Sequence, residues 1–171
     1  MTFNPDIHHR KSIRLKGFDY SGAAAYFITI CTLNREHLFG EIVDGVMCLN
    51  SMGDIVNDSW QWLAGQYTHV HLDQWIIMPD HLHGIIMIRD GMGGSRTAPT
   101  ATNAKTKSIG RLVGAFKTVS TKNINRLRNT EGARLWQRNY WERIIRDDAE
   151  LAQIRQYILD NPLRWSCRGG S

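Results

Sequence analysis

At 171 residues, 42% of them hydrophobic, the chain is sized for one domain around a single core. No apolar run reaches the roughly 18 residues that mark a membrane span, and the N-terminus M-T-F-N-P-D-I-H-H-R-K has no secretory h-region, so a cytoplasmic protein is expected. The net charge of +5 is unevenly placed, and the three cysteines form no C-x-x-C pair, which argues against a disulfide framework or a zinc finger.

Residues 1–25 read as an irregular arm carrying Arg10, Lys11, Arg14 and Lys16. Tyr26 to Thr32 (Y-F-I-T-I-C-T) is aromatic and β-branched and predicts a strand. A loop through Asn34–Glu36 follows, and Gly45–Leu49 reads as the return of a short hairpin arm. Ser51 is the expected N-cap, with Asp54 three residues on, of a helix over Met52–Gln66 carrying Ile55, Trp62 and Leu63. Val70–Met78 and His81–Ile88 read as two strands joined at Pro79-Asp80, and their near-continuous apolar character predicts central strands covered on both faces.

Asp90 to Lys107 is rich in Gly, Ser, Thr and Ala and is expected to be a mobile loop. A helix over Ser108–Leu127 is expected to bury Ile109, Leu112, Val113, Phe116 and Ile124 and to carry basic residues on its other faces. From Lys105 to Arg138 there are nine basic residues and one acid, Glu131. Such a stripe is either a phosphate-binding footprint or a solubilising face. Trp136–Arg146 predicts a strand. Asp147 or Asp148 caps a last helix running to about Asp160 and ending ahead of Pro162. The order β, α, β, β, α, β, α implies an α+β sandwich, ferredoxin-like or RRM-like, with helices packed on a central antiparallel sheet.

His81 and His83 stand two apart in a predicted strand, so both side chains project from one face. They are either an incidental polar pair or two donors to one cation, if a third ligand reaches over. In the last helix Tyr157 and Asn161 are four residues apart and share a face. Read singly, Tyr157 is a core-edge aromatic and Asn161 a helix-end residue.

Taken together, M-P-D-H-L-H-G resembles the HUH motif of single-tyrosine transposases. The segment W-Q-R-N-Y-W-E-R-I-I-R-D…Y-I-L-D-N-P-L-R-W resembles the C-terminal signature of the REP-associated tyrosine transposases in that superfamily. The resemblance covers residues 26–165, leaving 1–25 as an arm and 166–171 as a tail. It implies a DNA transposase and endonuclease that cleaves and rejoins hairpin-bearing, REP-like single-stranded DNA through a covalent 5′-phosphotyrosine. Tyr157 matches the nucleophile, with Tyr140 as the competitor. His81, His83 and Asn161 match the metal ligands, with Gln153 as the fallback third donor.

The implied cofactor is Mg²⁺ or Mn²⁺, and two imidazoles with an amide suit Mn²⁺, or a softer ion, better than Mg²⁺. DNA contacts are expected from Arg111, Lys117, Lys122, Arg126 and Arg128, with Arg14 and Lys16 in the arm. Trp136, Tyr140 and Trp141 either stack on unpaired bases or pad the core. The superfamily includes homodimers as well as monomers, and a nucleoid-associated location would follow from DNA binding. The rival readings are a catalytically silent hairpin-DNA-binding protein of the same fold and a metal-dependent hydrolase with no covalent step.

Overall fold

The computed structural model describes residues 24–89 and 107–167. The N-terminal arm up to residue 23 with Arg14 and Lys16, nearly all of the Asp90–Lys107 segment, and residues 168–171 lie outside them. Six strands and four α-helices follow in chain order: β1 (Ala24–Cys31), β2 (Gly40–Val43), β3 (Val46–Leu49), α1 (Ser51–Gln66), β4 (Val70–Met78), β5 (His81–Ile88), α2 (Ile109–Arg128), β6 (Trp141–Ile145), α3 (Asp148–Leu159) and α4 (Asn161–Cys167). The main sheet is wholly antiparallel in the order β4-β5-β1-β6. With α1 and α2 it forms the βαββαβ unit of an α+β, ferredoxin-like sandwich. The arm β2–β3 is a separate hairpin turning at Asp44-Gly45, both at positive φ, as a two-residue hairpin loop demands.

Strand alternation sorts the sheet into two faces. Tyr26, Ile28 and Ile30 of β1 join Leu82, Ile86 and Ile88 of β5 in the larger core, with Trp60 and Leu63 of α1 and Leu112, Phe116 and Ile124 of α2. Burying side chains of this size stabilises the fold by on the order of 2–3 kcal/mol each. Gly84 lets the Trp60 indole lie directly on β5, since a Cβ there would stand 2.5 Å from the ring. The opposite face carries Phe27 and Ile85, covered by Ile154 and Ile158 of α3.

Four expectations are corrected. The N-cap of α1 is Asn50, whose side chain accepts from the Met52 and Gly53 amides, because its carboxamide reaches both unpaired donors. Of the two apolar strands only β5 is central. The β4 strand is an edge, with α1 packed against it and α3 tied to it by a bidentate Arg155–Asp73 pair. The last strand begins at Trp141; Leu135 and Trp136 are buried as loop residues, and Trp136 makes only an isolated bridge to Thr32. Finally, Tyr157 and Asn161 do not share one helix. Pro162 has no N–H to continue α3, so the chain turns at Asp160 and restarts as α4, with proline in the first turn where it is tolerated.

Candidate active site

The site is built on the α3 face of the sheet. The β1–β5 register sets Thr29 opposite His83 and Cys31 opposite His81, so all four side chains point to one side. His81 Nδ1–H donates to Asp80 Oδ1 at 2.5 Å. A carboxylate only accepts, which leaves the lone pair of that ring on Nε2. The His83 Nδ1 is 2.8 Å from Thr29 Oγ1. The two Nε2 atoms then face each other at 3.1 Å.

The buried Asp80 is compensated by Arg35, whose Nε lies 2.8 Å from Oδ2. Asn34 and Arg35 both sit at positive φ in the 3₁₀ turn after β1, the strained backbone that aims this guanidinium. Thr32 completes the support: its backbone N–H and hydroxyl donate to the Asp80 carbonyl at 2.8 and 2.9 Å. Burial, then the neighbouring His81 and Arg35, push His83 down to about 3, so it is a neutral imidazole near pH 7.

Two Nε2 atoms facing each other at 3.1 Å are held together by a shared hydrogen or by a cation between them. Two nitrogens sharing one octahedral ion at about 2.1 Å stand roughly 3 Å apart, against about 3.4 Å for a tetrahedral one. The 3.1 Å separation is compatible with either a shared hydrogen or a shared divalent cation. No cluster of three His, Cys, Asp or Glu side chains among the described residues is arranged to hold a metal.

Tyr157 closes the other side. Its ring lies 5.4 Å from that of His83 and 5.9 Å, edge-on, from Phe27. Together with Thr29, Trp141 and Gln153 these residues line a cavity of about 510 Å³. The Arg164 guanidinium of α4 sits 5.4 Å from the centre of the Tyr157 ring. Asn161 is buried in α4 one turn before Trp165, whose ring packs 5.8 Å from His81. It is absent from the lining of the Tyr157 cavity, where Gln153 is present. Tyr140 is half-buried and its hydroxyl donates to Glu142 at 2.7 Å.

Sequence reasoning thus brought together His81, His83 and Tyr157 and missed Thr29, Arg35, Arg164 and the buried role of Asp80. Of the three aromatics, Trp136 is buried with its indole N–H on Ser120, Tyr140 is half-buried, and Trp141 is exposed at the cavity.

The expected DNA contacts also divide. Lys122 and Arg126 line a groove of about 680 Å³ between α2 and the loop over 131–138. Arg111 and Arg128 are exposed on α2 outside that lining. Lys117 lines the groove as well, and it is half-buried. Its ammonium donates to the carbonyls of Gln137, Asn139 and Arg138 at 2.8, 3.1 and 3.4 Å, so it is engaged with the loop.

No family model matches the chain. An uncharacterised protein of Haemophilus influenzae is 41% identical over 170 residues, spanning 95% of this chain and 93% of that protein. A second protein of that organism, provisionally named a REP-associated tyrosine transposase, is 33% identical over 88 residues, covering 52% of this chain and 47% of its own length. Among solved structures, a REP-associated tyrosine transposase bound to a REP hairpin superposes with a TM-score of 0.62 at 16% identity, over 92% of this chain and 76% of that one. The chain therefore belongs to one family with the Haemophilus influenzae protein that it matches nearly end to end, and it has the fold of the REP-associated tyrosine transposases that its motifs resemble.

Proposed function

We propose that the chain is a single-tyrosine DNA strand transferase that cleaves and rejoins hairpin-bearing, REP-like single-stranded DNA through a 5′-phosphotyrosine at Tyr157. The observation that carries this reading is the convergence of three side chains. His81 and His83 hold their Nε2 atoms 3.1 Å apart, and the Tyr157 ring lies 5.4 Å from that of His83, with which it lines a cavity of about 510 Å³. The fold shared with a transposase solved on a REP hairpin, and the partial relative named for the same activity, support it.

In the proposed step the Tyr157 phenol gives up its proton and its oxygen attacks phosphorus. The bond from phosphorus to the 3′ oxygen breaks, and that oxygen leaves as a 3′-hydroxyl after taking a proton. The same hydroxyl reverses the step, so rejoining needs no nucleotide cofactor. His81 and His83, with Asn161 or Gln153 as the third donor, would hold Mn²⁺ or Mg²⁺, which offsets negative charge on the attacked phosphate. Arg164 stands over the nucleophile's ring, and Trp141 offers an exposed indole to an unpaired base.

One observation favours the rival reading of a catalytically silent hairpin-binding protein: Asn161 does not line the cavity that Tyr157 and His83 share. Incubation with labelled hairpin-bearing single-stranded DNA and Mn²⁺, followed by a denaturing gel, separates the readings. A covalent adduct lost in Tyr157→Phe supports the transferase. Binding without cleavage supports the silent binder, and cleavage without an adduct supports a hydrolase.

A further inference from the structure

The phosphate attacked in the proposed step is an anion that gathers further negative charge as the Tyr157 oxygen adds to phosphorus. A cation beside the nucleophile offsets that charge, most effectively one held in place before the reaction. Three arginines around the site are already occupied. Arg35 lies 2.8 Å from Asp80, Arg143 2.5 Å from Glu150 and Arg155 2.6 Å from Asp73. Arg164 is not. Its nearest carboxylate among the described residues is Asp160 at 3.8 Å, beyond hydrogen-bond range, and its side chain is 57% exposed.

Neighbours on both sides fix Arg164 along α4. Leu163 lies against the hairpin arm, where a Cβ on Gly45 would stand 2.5 Å from its Cδ2. Trp165 packs on both His81 and His37, with ring centres 5.8 and 5.5 Å away. Between these two anchors in sequence, Arg164 sets its guanidinium 5.4 Å from the centre of the Tyr157 ring. Reacting atoms meet at about 3–3.5 Å, so a phosphate approached by the phenol oxygen comes within reach of this side chain. The planar fork of an arginine offers paired N–H donors to phosphate oxygens and stays charged, so it holds an anion without trading protons. Asp160 keeps a partner when Arg164 turns to a phosphate, because its Oδ1 accepts from Gln156 Nε2 at 2.7 Å.

Building on the strand-transfer reading, we propose that Arg164 grips a non-bridging oxygen of the phosphate held against Tyr157 and is a catalytic residue of the site. It makes and breaks no covalent bond itself. The bond from the Tyr157 oxygen to phosphorus forms, the bond from phosphorus to the 3′ oxygen breaks, and the guanidinium meets the charge that shifts onto the non-bridging oxygens.

A hairpin oligonucleotide with a single-stranded tail, carrying one neutral methylphosphonate at each tail linkage in turn, tests the contact. Binding is read by anisotropy in Tyr157→Phe, which cannot form an adduct. One linkage is expected to cost about tenfold in affinity when neutralised. That cost should vanish when Arg164→Gln is added, and the linkage should be the one at which wild type forms its adduct. Misfolding would instead weaken binding whichever linkage is neutral. With Tyr157 intact and DNA saturating, Arg164→Gln is expected to slow adduct formation about 100-fold, and Arg164→Lys to recover part of the loss. No linkage whose cost depends on Arg164, or an unchanged saturating rate in Arg164→Gln, overturns the proposal. A linkage-specific dependence on Arg164 in a protein that forms no adduct instead sinks the strand-transfer reading and leaves the phosphate contact standing.

Discussion

Asp80 holds His81 from behind. The carboxylate accepts from Nδ1 at 2.5 Å while Arg35 neutralises it at 2.8 Å, and the outcome is a ring whose Nε2 points at His83. Partners of this kind orient metal-binding histidines, and their loss typically costs about 10- to 100-fold in metal affinity. Asp80→Asn keeps the shape and removes the obligatory acceptor. It is expected to weaken Mn²⁺ binding by about that factor in titration calorimetry, with a smaller effect on hairpin binding. Unchanged Mn²⁺ affinity would show that the carboxylate serves folding alone.

Much of this frame was legible in the sequence, and the exceptions have physical causes. His81 and His83 share a face because strand periodicity is two, and periodicity can be read without a fold. Thr29 could not be found this way, since it meets His83 only through a β1–β5 register set 54 residues apart. The Trp136–Tyr140 stretch looks like a strand because aromatic residues bury equally well in loops, where no ladder marks them. The carbonyl contacts of Lys117 were not legible, because charge alone does not tell whether an ammonium faces solvent or three carbonyls. Pro162 marked the end of α3 correctly, but not that a second helix would start around it.

Trp60 and Gly84 form the tightest fit beneath the histidine strand. A methyl group at Gly84 would stand 2.5 Å from Trp60 Cζ2 and 3.2 Å from Trp75 Cβ, atoms without flexible ends to swing away. Gly84→Ala is expected to cost about 1–3 kcal/mol, read from urea unfolding. Because Gly84 follows His83, metal binding should weaken with it. A variant as stable as wild type would mean that α1 moves off the sheet freely.

Lys117 gives a signature at alkaline pH. Burial pushes its ammonium down to about 8, partly opposed by Cys31. Below that value the folded and unfolded chains both carry the charge. Between about 8 and the ordinary lysine value near 10.4 the unfolded chain keeps a proton that the folded one releases, so this group's contribution to stability rises with pH across the window. A carbon-detected NMR titration of the lysine side chains should find one midpoint near 8, missing in Lys117→Arg. A midpoint near 10 would mean that the three carbonyls hold the charged form against burial.

Arg155 and Asp73 tie the tyrosine helix to the edge strand through two hydrogen bonds of 2.6 Å. The bonding arginine holds the Asp73 carboxyl below the usual carboxylate range, more strongly than burial raises it. A lowered carboxylate contributes stability that is fully present above the unfolded value of about 3.9 and is lost as pH falls through the folded one. Arg155 is half-exposed, so salt screens the pair and the global effect on stability is small. The larger effect is expected on position, because Tyr157 lies two residues from Arg155 on the same helix. Arg155→Ala should therefore leave the melting temperature nearly unchanged near pH 7 and slow adduct formation on hairpin DNA, with DNA binding unaffected. Acidification through the lowered Asp73 value should progressively erase the remaining stability difference between variant and wild type. Adduct formation at the wild-type rate would show that Ile154 and Ile158 position α3 without help from the ion pair.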